Sequence, residues 1–240
     1  MQLKDYQKCW NTKPVLREIY HNLYQKIENN LLIGDTLEIG GGIGNLHLNE
    51  GRVVKTDIQY YSGVDVVADA QKLPFNNNTF SNIVLFDVLH HLQCPLLFFE
   101  EAVRVLKPGG RVIMMEPGIT PVSKLLYKIG HVEPVEMGWN MEDLCQVDKD
   151  KDPYESNQAI PTIIFKRDVK IFLSLNKKFN IIRSDWLSLF AYPLSGGFQP
   201  WSLIPCSWIQ IVLRLEEKLL PFLGNIMAFL LMVVLEKNES

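Results

Sequence analysis

The sequence has little cysteine: Cys9, Cys94, Cys145 and Cys206, no two of them spaced as a CxxC clip. That argues against a cysteine-built structural zinc site, and widely separated thiols fit a reducing, cytoplasmic setting. Basic charge is not in excess either. The 24 Lys and Arg stand against 27 Asp and Glu, a formal net charge of −3, and neither half of the chain is basic. The electrostatic footprint of a DNA- or RNA-binding surface is therefore missing. The first six residues form no apolar h-region, so secretion is not expected. Long apolar runs are nearly absent. Residues 219–235 run for 17 positions without a charge, the short edge of a membrane span, but Pro221, Gly224 and Asn225 divide them. The run reads as a helix end, a turn and a buried strand over 227–235. No internal repeat is visible.

What is present is an ordinary globular composition, 47% hydrophobic and 21% charged over 240 residues, enough to bury a core without staples. One domain over 1–240 is expected. Leu16, Ile19, Leu23, Ile27 and Leu31 recur at helical spacing across 14–31, with Pro14 in the first turn. From 35 to 116 apolar strands (36–39, 52–57, 64–68, 82–86 and 111–116) alternate with helical segments. The clearest helix, 95–106, is stopped by Lys107-Pro108-Gly109-Gly110. Such alternation predicts an α/β, doubly wound sheet with helices on both faces. Pro117, Pro121, Pro134 and Pro153 then mark an insertion near 117–165. A helix is expected over 167–178, strands over 181–191 and 227–235, and a second insertion near 192–224 that includes a helix over 207–220.

The chemistry concentrates at strand ends. Leu37-Glu38-Ile39-Gly40-Gly41-Gly42-Ile43-Gly44-Asn45 is an apolar strand running into a glycine turn. In open α/β sheets ligands bind at the carboxyl ends of strands near the switch point, and glycine lets backbone approach them closely. The dinucleotide fingerprint needs Gly or Ala where Asn45 stands, and a phosphate-binding loop needs a lysine. Here an acid, Glu38, precedes Gly40, Gly42 and Gly44, which favours a ligand with an ammonium group and no phosphate. Asp57 ends the second strand, 19 residues after Glu38, where an acid commonly grips ribose hydroxyls. Asp69 follows the third strand, placed to accept from an adenine amino group. Each acid alone also reads as a solvated loop residue. Three at the ends of three consecutive strands are harder to dismiss.

Together with Asp57-Ile58, Ala68-Asp69-Ala70-Gln71-Lys72-Leu73-Pro74-Phe75, Phe86-Asp87-Val88-Leu89-His90-His91 and Arg104-Val105-Leu106-Lys107-Pro108-Gly109-Gly110, the run resembles class I S-adenosylmethionine-dependent methyltransferases of the methyltransferase type 11 group. That group includes quinone- and biotin-pathway methyltransferases. The resemblance covers roughly 35–116 and implies a Rossmann-like sheet of about seven strands, mostly parallel with an antiparallel final strand. It implies S-adenosylmethionine as cofactor, with Glu38, Gly40, Gly42 and Gly44 lining its methionine part and Asp57 holding the ribose. Ile58 would pack on the adenine, Asp69 and Ala70 would meet its amino group and ring, and Phe86 and Asp87 would sit beside the sulfonium. One departure is the short stretch from Asp57 to Asp69, which leaves Tyr60 or Tyr61 free to stand near the adenine.

Methyl transfer from a sulfonium is an in-line displacement, so the protein mainly aligns the reactants; a base helps only where the acceptor must lose a proton. His90 and His91 follow the fourth strand and read as bases or as a pair that shapes the pocket. His131, flanked by Glu133 and Glu136, reads as a base, a metal ligand or part of a surface salt-bridge cluster; no metal is expected. Tyr20 and Tyr24, one helical turn apart, read as packing residues. The aromatic stretch from Trp186 to Trp208 hints at a small-molecule acceptor that is apolar or lipid-linked, and at peripheral contact with a membrane. Two other functions remain open: a non-catalytic module keeping the cofactor fold, and an NAD-dependent dehydrogenase or epimerase. Asn45 and the lack of a Tyr-x-x-x-Lys pair argue against the latter. The absence of an Asn/Asp-Pro-Pro-aromatic tetrapeptide argues against an amino-methylating DNA enzyme.

Overall fold

The computed structural model describes residues 3–42, 46, 51–130, 133–145 and 156–239. Helices α1 (Leu3–Thr12) and α2 (Pro14–Glu28) precede the sheet. Pro14 starts α2, where a missing N–H forfeits no helical bond, and Val15, Leu16, Ile19, Leu23 and Ile27 bury one face. The strands are β1 (Thr36–Ile39), β2 (Val53–Asp57), β3 (Val66–Val67), β4 (Phe80–Phe86), β5 (Leu106–Pro117), β6 (Phe179–Leu187) and β7 (Leu230–Lys237). Between them lie α3 (Pro95–Val105), α4 (Pro121–Gly130), α5 (Ile160–Thr162), a π-turn over Ile163–Arg167, α6 (Val169–Leu175), α7 (Ala191–Ser195) and α8 (Ile209–Met227). One sheet results, in the order β3-β2-β1-β4-β5-β7-β6. β1 to β5 run parallel, and β7 enters antiparallel between β5 and β6. The chain leaves β1 toward β2 and later resumes on its other side at β4, so the switch point lies between β1 and β4.

Period-two alternation fills both faces. On β7, Leu231, Val233 and Leu235 pack with Phe98, Phe99, Phe165 and Phe172 on one side. Leu230, Met232 and Val234 pack with Ile19, Leu23 and Leu213 on the other. The sheet thus has helices on both faces, as the alternating pattern predicts.

Several boundaries differ from expectation. Residues 219–235 are the end of α8 followed by β7, and α8 continues through Pro221 to Met227 instead of ending near 220. Proline removes the bond to the carbonyl of Glu217, but Glu217 is exposed, so water can take that carbonyl. Gly224 is retained because a Cβ there would lie 3.0 Å from the Trp186 Cβ; the break signal is a packing requirement. β6 stops at Leu187, where Ser188 takes φ 56°, and α7 occupies part of the stretch expected to be strand. β3 shrinks to two residues. Cys94 and Cys145 are bonded, with Cα atoms 4.3 Å apart across 51 positions, so they are not isolated thiols; sequence spacing says nothing of their distance once α3 packs on the turn holding buried Leu144. No helix among the described residues is long and apolar enough to cross a membrane.

Candidate active site

The parallel register brings three strand ends side by side: Ile39 faces Thr56 of β2 and Leu85 of β4. Past β1 the backbone turns through Gly40 at φ +68° and Gly42 at φ +50°. A Cβ on Gly40 would fall 2.3 Å from Val88 Cγ2, so only glycine lets the loop pass the start of the next segment. Beneath the loop, Glu38 is 6% exposed. Its Oε2 is buried without a hydrogen bond, and the nearest cation, Lys55 Nζ, stands 3.9 Å away. Burial pushes its carboxyl up to about 7, against the pull of Lys55. A buried acceptor lacking a donor is a place for a ligand cation.

Asp57 ends β2 with its carboxylate oriented by two donors, Gln59 N–H to Oδ1 at 3.0 Å and the Tyr61 hydroxyl to Oδ2 at 2.6 Å. Of the two tyrosines left free by the short connection, Tyr61 is thus the one tied to the site. Ile58 is 53% exposed beside it, an apolar surface on which a flat ring can lie. Asp69 accepts from Gln71 N–H at 2.8 Å. Ala70 is buried in the core, so its side chain packs inward and only backbone remains for a ligand. Gly44 and His131 lie outside the described residues.

At the end of β4, Asp87 takes φ 63° while its N–H donates to Met115 at 2.8 Å. Desolvation within the cleft, the charges of Glu116 and Glu133, and the opposing pull of His90 leave it at about 6. His90 is buried, with Nδ1 2.8 Å from Glu116 Oε2 and Nε2 3.7 Å from Glu133 Oε2. Glu116 Oε1 also accepts the N–H groups of Val88 and Leu89. Burial would lower the imidazole, but the hydrogen bonds to Glu116 and Glu133 and the charges of Glu116 and Asp87 hold it at about 10. Glu133 is itself drawn to about 2: burial opposes ionisation, and His90, Gln158 and Ser156 overcome it. His90 is therefore an imidazolium clamped between carboxylates, an anchor for the segment that carries Glu133. His91 lies beside it, ring centroids 4.2 Å apart. His90, His91 and Glu133, or Asp87, His90 and Glu116, bring donor atoms within 4.8 Å of one another and could hold a metal ion.

An aromatic wall covers Phe86. Tyr20 stacks on it at 5.1 Å and Tyr24 leans at 5.4 Å. Tyr20 also donates to Tyr192, and burial together with the charge of Asp87 pushes both hydroxyls up. Tyr127 feels the same charges from α4. Helical spacing reads Tyr20 and Tyr24 as packing, which is correct but incomplete: they pack onto the site. Glu116, near the end of β5, was legible by the same strand-end signal as Asp57; Tyr192 falls in the aromatic stretch from 186 to 208, though nothing there points to Tyr20, and Tyr127 carries no signal in sequence.

Residues 37–114 match the family described as methyltransferase domain. The ubiquinone/menaquinone biosynthesis C-methyltransferase UbiE of Coxiella burnetii is 35% identical over 97 residues, 38% of this chain and 39% of that protein. The match spans about two fifths of that relative's length. A SAM dependent methyltransferase from Archaeoglobus fulgidus shares the fold at TM-score 0.54 and 13% identity, over 93% of this chain and 94% of that one. The [4+2]-cyclase SpnF shares it at TM-score 0.50 and 14% identity, over 91% and 81%. The two structural likenesses establish the fold only, and one fold serves different chemistries. The strand order and the glycine turn agree with the methyltransferase-domain match, which covers residues 37–114 of the chain.

Proposed function

We propose that the protein transfers a methyl group from S-adenosylmethionine to a small, largely apolar, ring-bearing acceptor. The observation that carries the cofactor assignment is Glu38: its Oε2 is buried without a donor at the end of β1. Such an acid suits the ammonium of a methionine moiety and would repel the pyrophosphate of a dinucleotide. Gly40 and Gly42, with Gly44, would let the backbone close on that moiety. Asp57 would take the ribose hydroxyls, Ile58 the adenine face, Asp69 and the backbone of Ala70 the adenine edge. When bound, the cofactor supplies an electrophilic methyl on sulfur.

The chain's own contribution is alignment. Phe86 and the tyrosines stacked on it offer flat apolar surface, and Asp87 opens at the same strand end. The Coxiella relative acts in ubiquinone/menaquinone biosynthesis by its name, which supports an aromatic or quinone-like ring and attack through carbon. Where the acceptor must lose a proton, His90 is unsuited, since its carboxylates keep it protonated. Asp87, held at about 6, and His131, on the sequence reading alone, are the bases we assign. The test is transfer of labelled methyl from the cofactor to a panel of prenylated and unprenylated phenols and hydroquinones. Label in the prenylated or ring-bearing members supports the reading. Label only in polar amines, with these acceptors untouched, overturns the acceptor class.

A further inference from the structure

Helix α8 carries two apolar stripes, and the core uses one. Ile209, Leu213 and Gly224 face inward, and Glu216 turns in with them to accept the N–H groups of Leu189 and Phe190. The second stripe is Trp208, Ile211, Leu215, Phe222 and Ile226, spaced so that all stand on one side of the helix. They are 63, 65, 50, 78 and 50% exposed. Helix α4 packs alongside α8 and adds exposed Leu125 and Leu126. A single exposed leucine needs no explanation, but a contiguous stripe does.

Among the described residues of α8 and α4, the exposed charges that flank the stripe are cations. Arg214 and Lys218 border it on α8, and α4 adds Lys124, all exposed. The exposed acid of α8, Glu217, turns away to Lys26 of α2, with Nζ 2.7 Å from Oε1. An aromatic and aliphatic stripe edged by cations is the composition of a helix that lies in the plane of a bilayer surface. A partner protein would not require the cations to line one edge, whereas anionic headgroups would.

We propose that the outer face of α8, with Leu125 and Leu126 of α4, docks on an anionic lipid bilayer. Its end near Ile226 leads into β7, whose Leu230 pairs with Pro117 at the carboxyl end of β5. The N–H of Gly118, just past β5, donates to Phe229 at 2.8 Å, and Tyr127 of α4 contacts the Phe229 ring at 6.0 Å. An apolar acceptor dissolved in the membrane would thus meet the cleft at its rim. Only this last point rests on the proposed function; the docking rests on the surface itself.

The test is sedimentation of the full chain with sucrose-loaded vesicles of phosphatidylcholine, with and without phosphatidylglycerol. The expected result is binding strengthened by phosphatidylglycerol and weakened by salt. The pair Phe222→Glu and Ile226→Glu should lower partitioning by about tenfold or more, and Arg214→Glu with Lys218→Glu should abolish the preference for anionic lipid. Both pairs should keep the wild-type melting temperature and the shift caused by S-adenosylhomocysteine. Should the Glu pair unfold, Phe222→Ser with Ile226→Ser replaces it. Wild-type protein left in the supernatant, or variants that bind as well as wild type, overturn the proposal. So does a wild-type dimer that the same variants make monomeric, which would give the face to a second copy. A chain that binds vesicles but not S-adenosylhomocysteine would contradict the cofactor site and leave the docking surface standing.

Discussion

Glu38 is held where a carboxylate is costly, buried under a loop with its Oε2 given no hydrogen bond among the described residues. With its carboxyl raised from 4.5 to about 7, the folded chain favours the protonated form more than the unfolded chain does. Its unfavourable contribution therefore grows as pH rises from 4.5 toward 7. Glu38→Gln should stabilise the ligand-free protein at pH 8 by about 2–3 kcal/mol, read by urea denaturation. The same substitution should weaken S-adenosylhomocysteine binding by about tenfold to a hundredfold. Wild-type affinity should rise with pH through about 7, and the variant's should not. Stability given up for binding in this way is expected at functional sites. His90 shows the opposite sign. Its imidazole, raised from 6.5 to about 10, contributes stability that is full below 6.5 and lost as pH climbs to 10. His90→Ala leaves the Glu116 carboxylate buried without its partner and should cost about 3–5 kcal/mol at pH 6. The gap to wild type, measured by denaturant titration, should narrow by pH 9.5. A gap that widens with pH would mean the imidazole is neutral.

Among the elements, the parallel part of the sheet was readable because each strand there is a short apolar run closed by a turn signal. β1 matches its expected span of 36–39, and α3 ends at Val105, next to Lys107-Pro108-Gly109-Gly110. Glu38, Asp57 and Asp69, the acids at or just past the ends of β1, β2 and β3, were readable for the same reason: strand ends in such a sheet converge on one edge. What stayed hidden depends on contacts distant in sequence. Pro221 and Gly224 look like a helix stop, yet α8 runs past both because its inner face is held by Trp186 and the sheet. The Glu116–His90–Glu133 clamp joins three separate segments, and no periodicity announces it. Tyr192 reaches Tyr20 only because α7 folds back over α2. Gly224→Val tests this element directly. Its branches would enter Trp186, 3.0 Å from the first added carbon, and overpacking of this kind should cost about 1–3 kcal/mol. The melting temperature should fall accordingly, and an unchanged value would mean α8 can slide away from β6.

Across the whole sheet, the glycine turn, Asp57 and the aromatic wall stand along one carboxyl edge, and α8 leads into β7 at that edge, where Leu230 pairs with Pro117. The chain that follows β5 is tied down twice, by Glu133 on His90 and by Cys145 on Cys94. These ties hold the segment against the cleft. On the function proposed above, this edge is built for a sulfonium nucleoside with a free amino acid end. The most direct measurement is calorimetric titration of S-adenosylhomocysteine, and of NAD as control, into the wild type, Asp57→Ala and Gly42→Val. Gly42 has φ +50° but, among the described residues, no heavy atom nearer than 3.7 Å to an added Cβ, so that variant should fold and fail through the loop's backbone. The expected result is binding of S-adenosylhomocysteine by wild type alone, with no heat from NAD. Tight binding of NAD, or unchanged affinity for S-adenosylhomocysteine in both variants, would contradict the account.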